Sequence, residues 1–296
     1  MTRLLHLSDP HFGTEYEPAV QALLRLVDDI QPDLVLLSGD ITQRARRSQF
    51  AAARRFVQAL QRPVLAVPGN HDIPLFNVLA RTMNPYGGYR RALGPVLEPV
   101  IDIPGLLAIG VNSTRPARHE RGEVSVAQVE RVARRLSQAR ADCLRVVMLH
   151  HPVRAVVDSD RKNLLIGRGV AVRAWVEAGV DLILAGHIHL PYVLPVSGVE
   201  DADSEIDVAG LTLWEQGAGV EDAPEMMRTQ ARQAWIVQAG TAVSRRVRGG
   251  APNSVYMIEH GVEEGLHQCA IERWDFAADA QVFGCESRLT LNWCRP

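Results

Sequence analysis

Lysine is almost missing from this 296-residue chain: Lys162 is the only one, and the rest of its 32 basic residues are arginines. Set against 34 acidic residues they leave a formal net charge of −2. Nothing in that balance draws the whole molecule to nucleic acid or to an anionic membrane. Cysteine is scarce too. Cys143, Cys269, Cys285 and Cys294 form no Cys-x-x-Cys pair and no zinc-like spacing, which points to reduced structural thiols, with a bridge among the last three left open. There is no Gly-x-Ser-x-Gly, so nothing supports a serine hydrolase. No apolar run approaches the length needed to span a bilayer. The N-terminal run Arg3 to Leu7 is broken at once by Ser8 and Asp9, too short for a signal peptide, and a cytoplasmic protein is expected. Arginine and lysine are absent between Arg173 and Arg228, while acidic residues crowd positions 200 to 225; an acidic, loose insertion is expected at about 197–227.

What is present is an ordinary globular composition, 47% hydrophobic and 22% charged, long enough for one large α/β sandwich with elaborations. A single domain over 1–296 is expected. Strands are predicted over 3–7, 34–37 and 64–67. Between them run helices over 18–30 and from Ser48, which can cap a second helix striped by Phe50, Ala53, Val57 and Leu60. Three β-α repeats in succession predict a mostly parallel sheet with right-handed crossovers. Residues 73–99 read as an irregular excursion, and 100–103 with 106–111 as a hairpin opening a second sheet. A helix over 125–139 starts at a Ser125 and Gln128 capping box. Strands at 146–149 and 182–185 flank a helix at 170–178. Strand character resumes at 235–238, 255–259 and 266–274, so that residues of about 233–296 are expected to complete the second sheet.

The strand exits carry the chemistry. Asp9 and His11 follow the first strand, Asp40 the second, and Asn70, His71 and Asp72 the third, in the turn Val-Pro-Gly-Asn-His-Asp. His150 follows the strand at 146–149, and His187 and His189 follow that at 182–185. Functional residues of α/β sheets collect beyond the C-terminal ends of their strands. A lone histidine is more often a satisfied core or surface residue than a ligand; five strand exits in this order are not a coincidence. Oxygen donors mixed with imidazoles suit Mn, Fe or Zn better than Ca or Mg.

The ordered blocks Asp-x-His, Gly-Asp, Gly-Asn-His-Asp, His and Gly-His-x-His resemble those of the calcineurin-like metallophosphoesterases, and span residues 9 to 189. Within that superfamily, His6-Leu7-Ser8-Asp9, Ser38-Gly39-Asp40-Ile41-Thr42, His150-His151-Pro152 and Gly186-His187-Ile188-His189 look most like class III cyclic nucleotide phosphodiesterases. Pro10 stands where leucine is the family's habit, which bears on local backbone shape rather than on ligand type. The resemblance implies a four-layer αββα sandwich of two mixed β-sheets flanked by helices, with its metal-ligand core in 1–195. It also implies two divalent or trivalent transition-metal ions, Mn, Fe or Zn. Asp9, His11, Asp40 and His189 would hold the first ion; Asp40, Asn70, His150 and His187 would hold the second. In such a pair, about 3.5–4 Å apart, a bridging hydroxide attacks phosphorus in line.

By the same resemblance, His71 is expected to protonate the leaving oxygen or stabilise the phosphoryl charge, with Asp72 orienting it. His151 is expected beside the ligands rather than among them, and His6 in the core. Arg44, Arg46 and Arg47 follow Asp40 closely, where they either touch a substrate phosphate or form a solvated helix start. The expected activity is hydrolysis of small phosphodiesters, 3′,5′-cyclic nucleotides first. Glycerophosphodiesters, other phosphate esters, or a non-catalytic scaffold of the same fold are the alternatives. The acidic stretch argues against nucleic acid as a partner, nothing supports a membrane, and a homodimer is left open.

Overall fold

The structure, a computed structural model, describes residues 1–197 and 233–295; the acidic insertion lies outside the described residues. The chain begins β1 (Thr2–Leu7), α1 (Glu17–Ile30), β2 (Leu34–Leu37), α2 (Arg47–Ala59) and β3 (Val64–Ala66). Two short helices follow, α3 (Val78–Met83) and α4 (Gly87–Leu93), then β4 (Val100–Ile103), β5 (Leu106–Gly110) and α5 (Val126–Ser137). The second half runs β6 (Leu144–Met148), α6 (Arg168–Ala178), β7 (Leu182–Ala185), β8 (Tyr192–Ser197), β9 (Gln233–Gln238), β10 (Ser254–Glu263), β11 (Leu266–Ala277) and β12 (Val282–Cys294).

Two six-stranded sheets result, ordered β12-β11-β10-β1-β2-β3 and β4-β5-β6-β7-β9-β8. Both are mixed. β1, β2 and β3 are parallel, as are β5, β6, β7 and β9, while β10 and β8 pair antiparallel at β1 and β9. Strand alternation decides which residues face which layer. Leu5, Leu7, Val35 and Leu37 point outward and pack against Ala19, Leu23 and Val27 of α1 and Phe50 and Ala53 of α2. Leu4, Leu34 and Leu36 point inward and meet Val146, Met148, Leu182 and Leu184 of the other sheet. The outer face of that sheet carries Val147 and Ile183 against Val129, Val132, Leu136 and Trp175 of α5 and α6. The layers are therefore α, β, β, α. All four cysteines are free, Cys143 and Cys269 buried, Cys285 and Cys294 exposed.

The C-terminal strands do not complete the second sheet. Only β9 joins it, with β8; β10, β11 and β12 extend the first sheet from the free edge of β1. That edge would otherwise leave a row of unpaired backbone groups in the middle of the molecule. β10 covers it in register from Thr2 opposite His260 to His6 opposite Tyr256. The chain crosses from one sheet to the other at 239–253, over the rim where the motif residues lie.

Smaller differences have local causes. α2 begins at Arg47, so Ser48 sits inside its first turn; Gln49 Oε1 accepts the Arg44 and Arg46 N–H groups at 2.9 and 3.2 Å and closes the helix start instead. Its buried stripe uses Phe56 rather than Val57. The excursion at 73–99 contains α3 and α4, six and seven residues long, too short for a helical period to show in the sequence. The capping box of α5 forms as expected, with Ser125 Oγ accepting the Gln128 N–H at 3.2 Å and Gln128 Oε1 accepting the Ser125 N–H at 3.0 Å.

Candidate metal centre

Each parallel strand of the sandwich releases its polar residues at one rim, and there the backbone is not extended. Asp9, His11, Asp40, His187 and His189 have φ of 52°, 43°, 48°, 75° and 59°, half of the ten non-glycine residues with positive φ among those described. Left-handed backbone costs a residue with a side chain about 1–3 kcal/mol and persists where the surroundings over-determine it. Asp9 and His11, two apart, would share one side of an extended chain; instead a tight turn through Pro10 aims both inward. Glycine is needed where the turns touch. A Cβ at Gly69 would stand 2.1 Å from Asp40 N, and one at Gly186 would stand 1.8 Å from Ser8 Oγ.

Two groups of donors converge at this rim. His11 Nε2 and His189 Nε2 lie 3.2 Å apart, and Asp9 Oδ1 lies 3.5 and 3.3 Å from them. Asp40 Oδ2 is 3.7 Å from His11 Nε2. In the second group His150 Nε2 faces Asn70 Oδ1 at 3.2 Å and Asp40 Oδ1 at 3.3 Å, and the His187 ring lies 5.1 Å from that of His150. The two oxygens of Asp40 thus serve one group each. His189 Nδ1 donates to the Arg246 carbonyl at 2.6 Å and His150 Nδ1 to the Ser38 carbonyl at 2.8 Å, which leaves both Nε2 lone pairs aimed into the rim.

These residues fit metal ions. Donors held about 2.0–2.2 Å from a common ion lie about 3.2–3.6 Å apart when tetrahedral, close to the separations seen. His11 Nε2 and His189 Nε2 at 3.2 Å are also at the spacing of two ligands of one ion. Asp9 Oδ1, His11 Nδ1 and His187 Nδ1 are buried without hydrogen-bond partners, a costly arrangement in the protein alone. Electrostatics agree. Burial pushes Asp9 and Asp40 upward, but the imidazoles of His189 and His11 around Asp9, and of His150 and His71 around Asp40, hold both well below the usual carboxylate range. Burial alone lowers His150, and the Asp40 charge overrides it and takes it up to about 9. A divalent cation answers the same negative charge without that proton.

His71 stands at the mouth. Its N–H donates to Asp40 Oδ1 at 2.8 Å, its ring Nδ1 donates to the Gln43 carbonyl at 2.7 Å, and Nε2 is turned to the site, 4.0 Å from Asp40 Oδ2. Asp72, expected to orient that ring, does something else. Its buried carboxylate accepts the N–H groups of Gly69, Ile41 and Thr42 at 2.9, 3.1 and 2.8 Å, with Thr42 Oγ1 at 2.9 Å. It therefore ties the 70–72 turn to the Asp40 turn, and the Gln43 carbonyl orients His71. Burial, with the Asp40 charge, raises Asp72 to about 6 against those backbone donors.

Other histidines sort clearly. His151 lies near His150 and His187, but its Nδ1 meets Ser113 Oγ at 2.8 Å and its Nε2 donates to the Glu120 carbonyl at 3.0 Å, so neither nitrogen is free for an ion. His6 is buried and bonded to Ser38 Oγ at 2.9 Å. Asn112 uses its side chain on Thr114 and closes a turn. Arg246 is the residue the sequence reading missed as part of the site. Its Nη1 lies 3.3 Å from His71 Nε2 and 3.2 Å from Gln43 Oε1. It follows the exit of β9, a parallel strand, and the strand-exit rule applied there would have found it. Arg248 Nη1 binds both oxygens of Asp160, at 2.7 and 2.8 Å, and the Ile188 carbonyl at 3.0 Å, which fixes the turn between His187 and His189.

The calcineurin-like phosphoesterase model matches residues 2–191, from β1 to just past His189. The chain belongs to that family. Its class of chemistry is metal-dependent phosphoric ester hydrolysis, and divalent metal ions suit its donor set. Among curated relatives, the chain is 30% identical over 200 residues to a probable cyclic nucleotide phosphodiesterase of a Synechococcus strain, over 65% of this chain and 73% of the other. It is 28% identical over 207 residues to a glycerophosphodiester phosphodiesterase of Enterobacter lignolyticus, over 63% and 70%. In fold it is similar to a dimetal phosphatase of Danio rerio, with a TM-score of 0.58 over 100% of this chain and 99% of that one, at 12% identity. No helix among the described residues is long and apolar enough to cross a membrane.

Proposed function

We propose that the protein is a phosphodiesterase acting on small phosphodiesters, with 3′,5′-cyclic nucleotides as its first candidate substrates. The observation that carries this reading is Asp40, whose two carboxylate oxygens face two separate donor groups. Asp9, His11, Asp40 and His189 would hold one ion, and Asp40, Asn70, His150 and His187 the other. When bound, such a pair supplies Lewis acidity to the phosphoryl group and brings the ionisation of water near neutral pH.

The chain's own residues do the rest. The Asp9 and Asp40 turns, locked by positive φ and by Asp72, keep the donors in place without rearrangement. His71 presents Nε2 at the mouth with its other nitrogen fixed by the Gln43 carbonyl, and in its protonated form donates to the leaving oxygen. Arg246, beside that nitrogen, supplies fixed positive charge where a phosphoryl oxygen gains negative charge. Glycerophosphodiesters are the second substrate class, favoured by the likeness to the Enterobacter enzyme. A non-catalytic scaffold is disfavoured, because no donor of the set is replaced. Side-by-side turnover of cyclic nucleotides, glycerophosphodiesters and phosphomonoesters on metal-defined protein tests the reading. Faster cyclic nucleotide hydrolysis supports it, and activity confined to phosphomonoesters refutes it.

A further inference from the structure

A second cavity, of about 480 Å³, opens beside the rim between the start of α2 and the 74–91 segment. Arg44, Arg46, Arg47 and Arg91 line it, with Phe50 and Phe76, and no carboxylate among the described residues does. Among the described residues no carboxylate forms an ion pair with any of these four arginines. Arg3, Arg118, Arg131, Arg248, Arg273 and Arg288, by contrast, each meet a carboxylate. Four like charges gathered without a partner repel one another, and an anion relieves that.

The surroundings point the same way. α2, 13 residues long, opens toward the cavity with no acidic residue in its first turn, so its positive dipole end adds to the guanidinium field. Arg44 lies 5.5 Å over the ring of Phe76, which is 76% exposed, and together they offer a flat face to a planar group. Both walls descend directly from the catalytic loops. Gln43, whose carbonyl fixes His71, precedes Arg44, and the 70–72 turn leads through Ile73 to Phe76.

We propose that this cavity is an anion subsite that binds a second phosphate group of the substrate while the scissile phosphodiester sits at the rim. Its existence is independent of the activity proposed above; its assignment to the substrate rests on that reading. The substrate class it implies is a small phosphodiester that carries a second phosphate group, as in a 5′-phosphorylated dinucleotide.

The first test is equilibrium titration of the full chain, dialysed free of metal, with inorganic pyrophosphate. Saturable binding to one site is expected, weakened at least tenfold in Arg44→Ala/Arg91→Ala and by rising salt, with Arg44→Lys/Arg91→Lys, which keeps the charge, in between. Absence of saturable binding, or equal binding by the alanine variant, overturns the subsite. The second test compares kcat/KM of the metal-loaded protein for a dinucleotide with and without a 5′-phosphate. A preference of at least tenfold for the phosphorylated form, abolished in the alanine variant, is expected. Pyrophosphate binding without that preference assigns the cavity to a free anion and overturns the substrate assignment. So does retention of the protein on phosphatidylglycerol vesicles through Arg44 and Arg91 with no preference. Hydrolysis of bis(p-nitrophenyl) phosphate by the wild-type protein reports separately on the phosphodiesterase reading.

Discussion

Asp72→Ala distinguishes a loop organiser from a catalytic partner. The Asp72 carboxylate is fully buried and accepts three backbone N–H groups at 2.8–3.1 Å and the Thr42 hydroxyl at 2.9 Å. Alanine orphans all of them. Each unsatisfied buried donor costs about 1–3 kcal/mol, and relaxation with water entry recovers part, so a loss of about 4 kcal/mol follows. In a chain of this size that is a fall in Tm of roughly 6 °C. Because the released turns carry Asp40 and Asn70, metal affinity falls with stability. Thermal melts with and without added Mn, read beside metal content and turnover, check both effects. An Asp72→Ala protein that melts within 2 °C of the wild type, keeps its metal and still loses turnover would refute the reasoning and restore Asp72 as the partner of His71.

Other predictions concern single residues. His71→Ala lowers kcat by about 10²–10⁴-fold with metal content unchanged, since its ring meets the Gln43 carbonyl and Arg246 rather than filling a place in either donor group; metal loss in that variant, measured by elemental analysis, would contradict it. Arg246→Ala lowers kcat/KM by about 10–100-fold, the worth of one or two charge-assisted hydrogen bonds, and steady-state kinetics with a small diester checks it. His260, buried beside His267 and Trp293 at the opposite end of β10, is lowered to about 4, chiefly by burial. Its folded value lies below its unfolded one, so its contribution is complete above about pH 6.5 and is lost as pH falls toward 4. His260→Gln flattens that acid limb, and urea unfolding at pH 7 and pH 5 measures the difference.

How much the sequence could tell is clearest at the strand exits. Asp9, His11, Asp40, Asn70, His71, His150, His187 and His189 were all legible, because a buried apolar run that ends in a polar residue marks one rim of a parallel sheet whatever its neighbours are. The partner of each strand was not. β10, β11 and β12 read correctly as strands, or for β12 not at all, but alternation says which face is buried and not which edge is free. The fact that β1 had an open edge decided their place. Backbone φ was equally hidden: nothing in Asp9-Pro10-His11 announces two left-handed residues. Asp72 misled because it neighbours His71 in sequence, while its hydrogen bonds reach back about thirty residues to the Asp40 turn, to Ile41 and Thr42. Arg246 was overlooked inside an arginine cluster because its role depends on the crossing between sheets.

If the Asp40 carboxylate joins two cation sites at this rim, the number of metal ions bound per chain shows it most directly. Elemental analysis of the full chain after equilibration with Mn and removal of excess should give two ions per chain, and Asp40→Ala should lose both. A wild-type chain that never holds more than one ion, or an Asp40→Ala chain that retains two, would contradict the account.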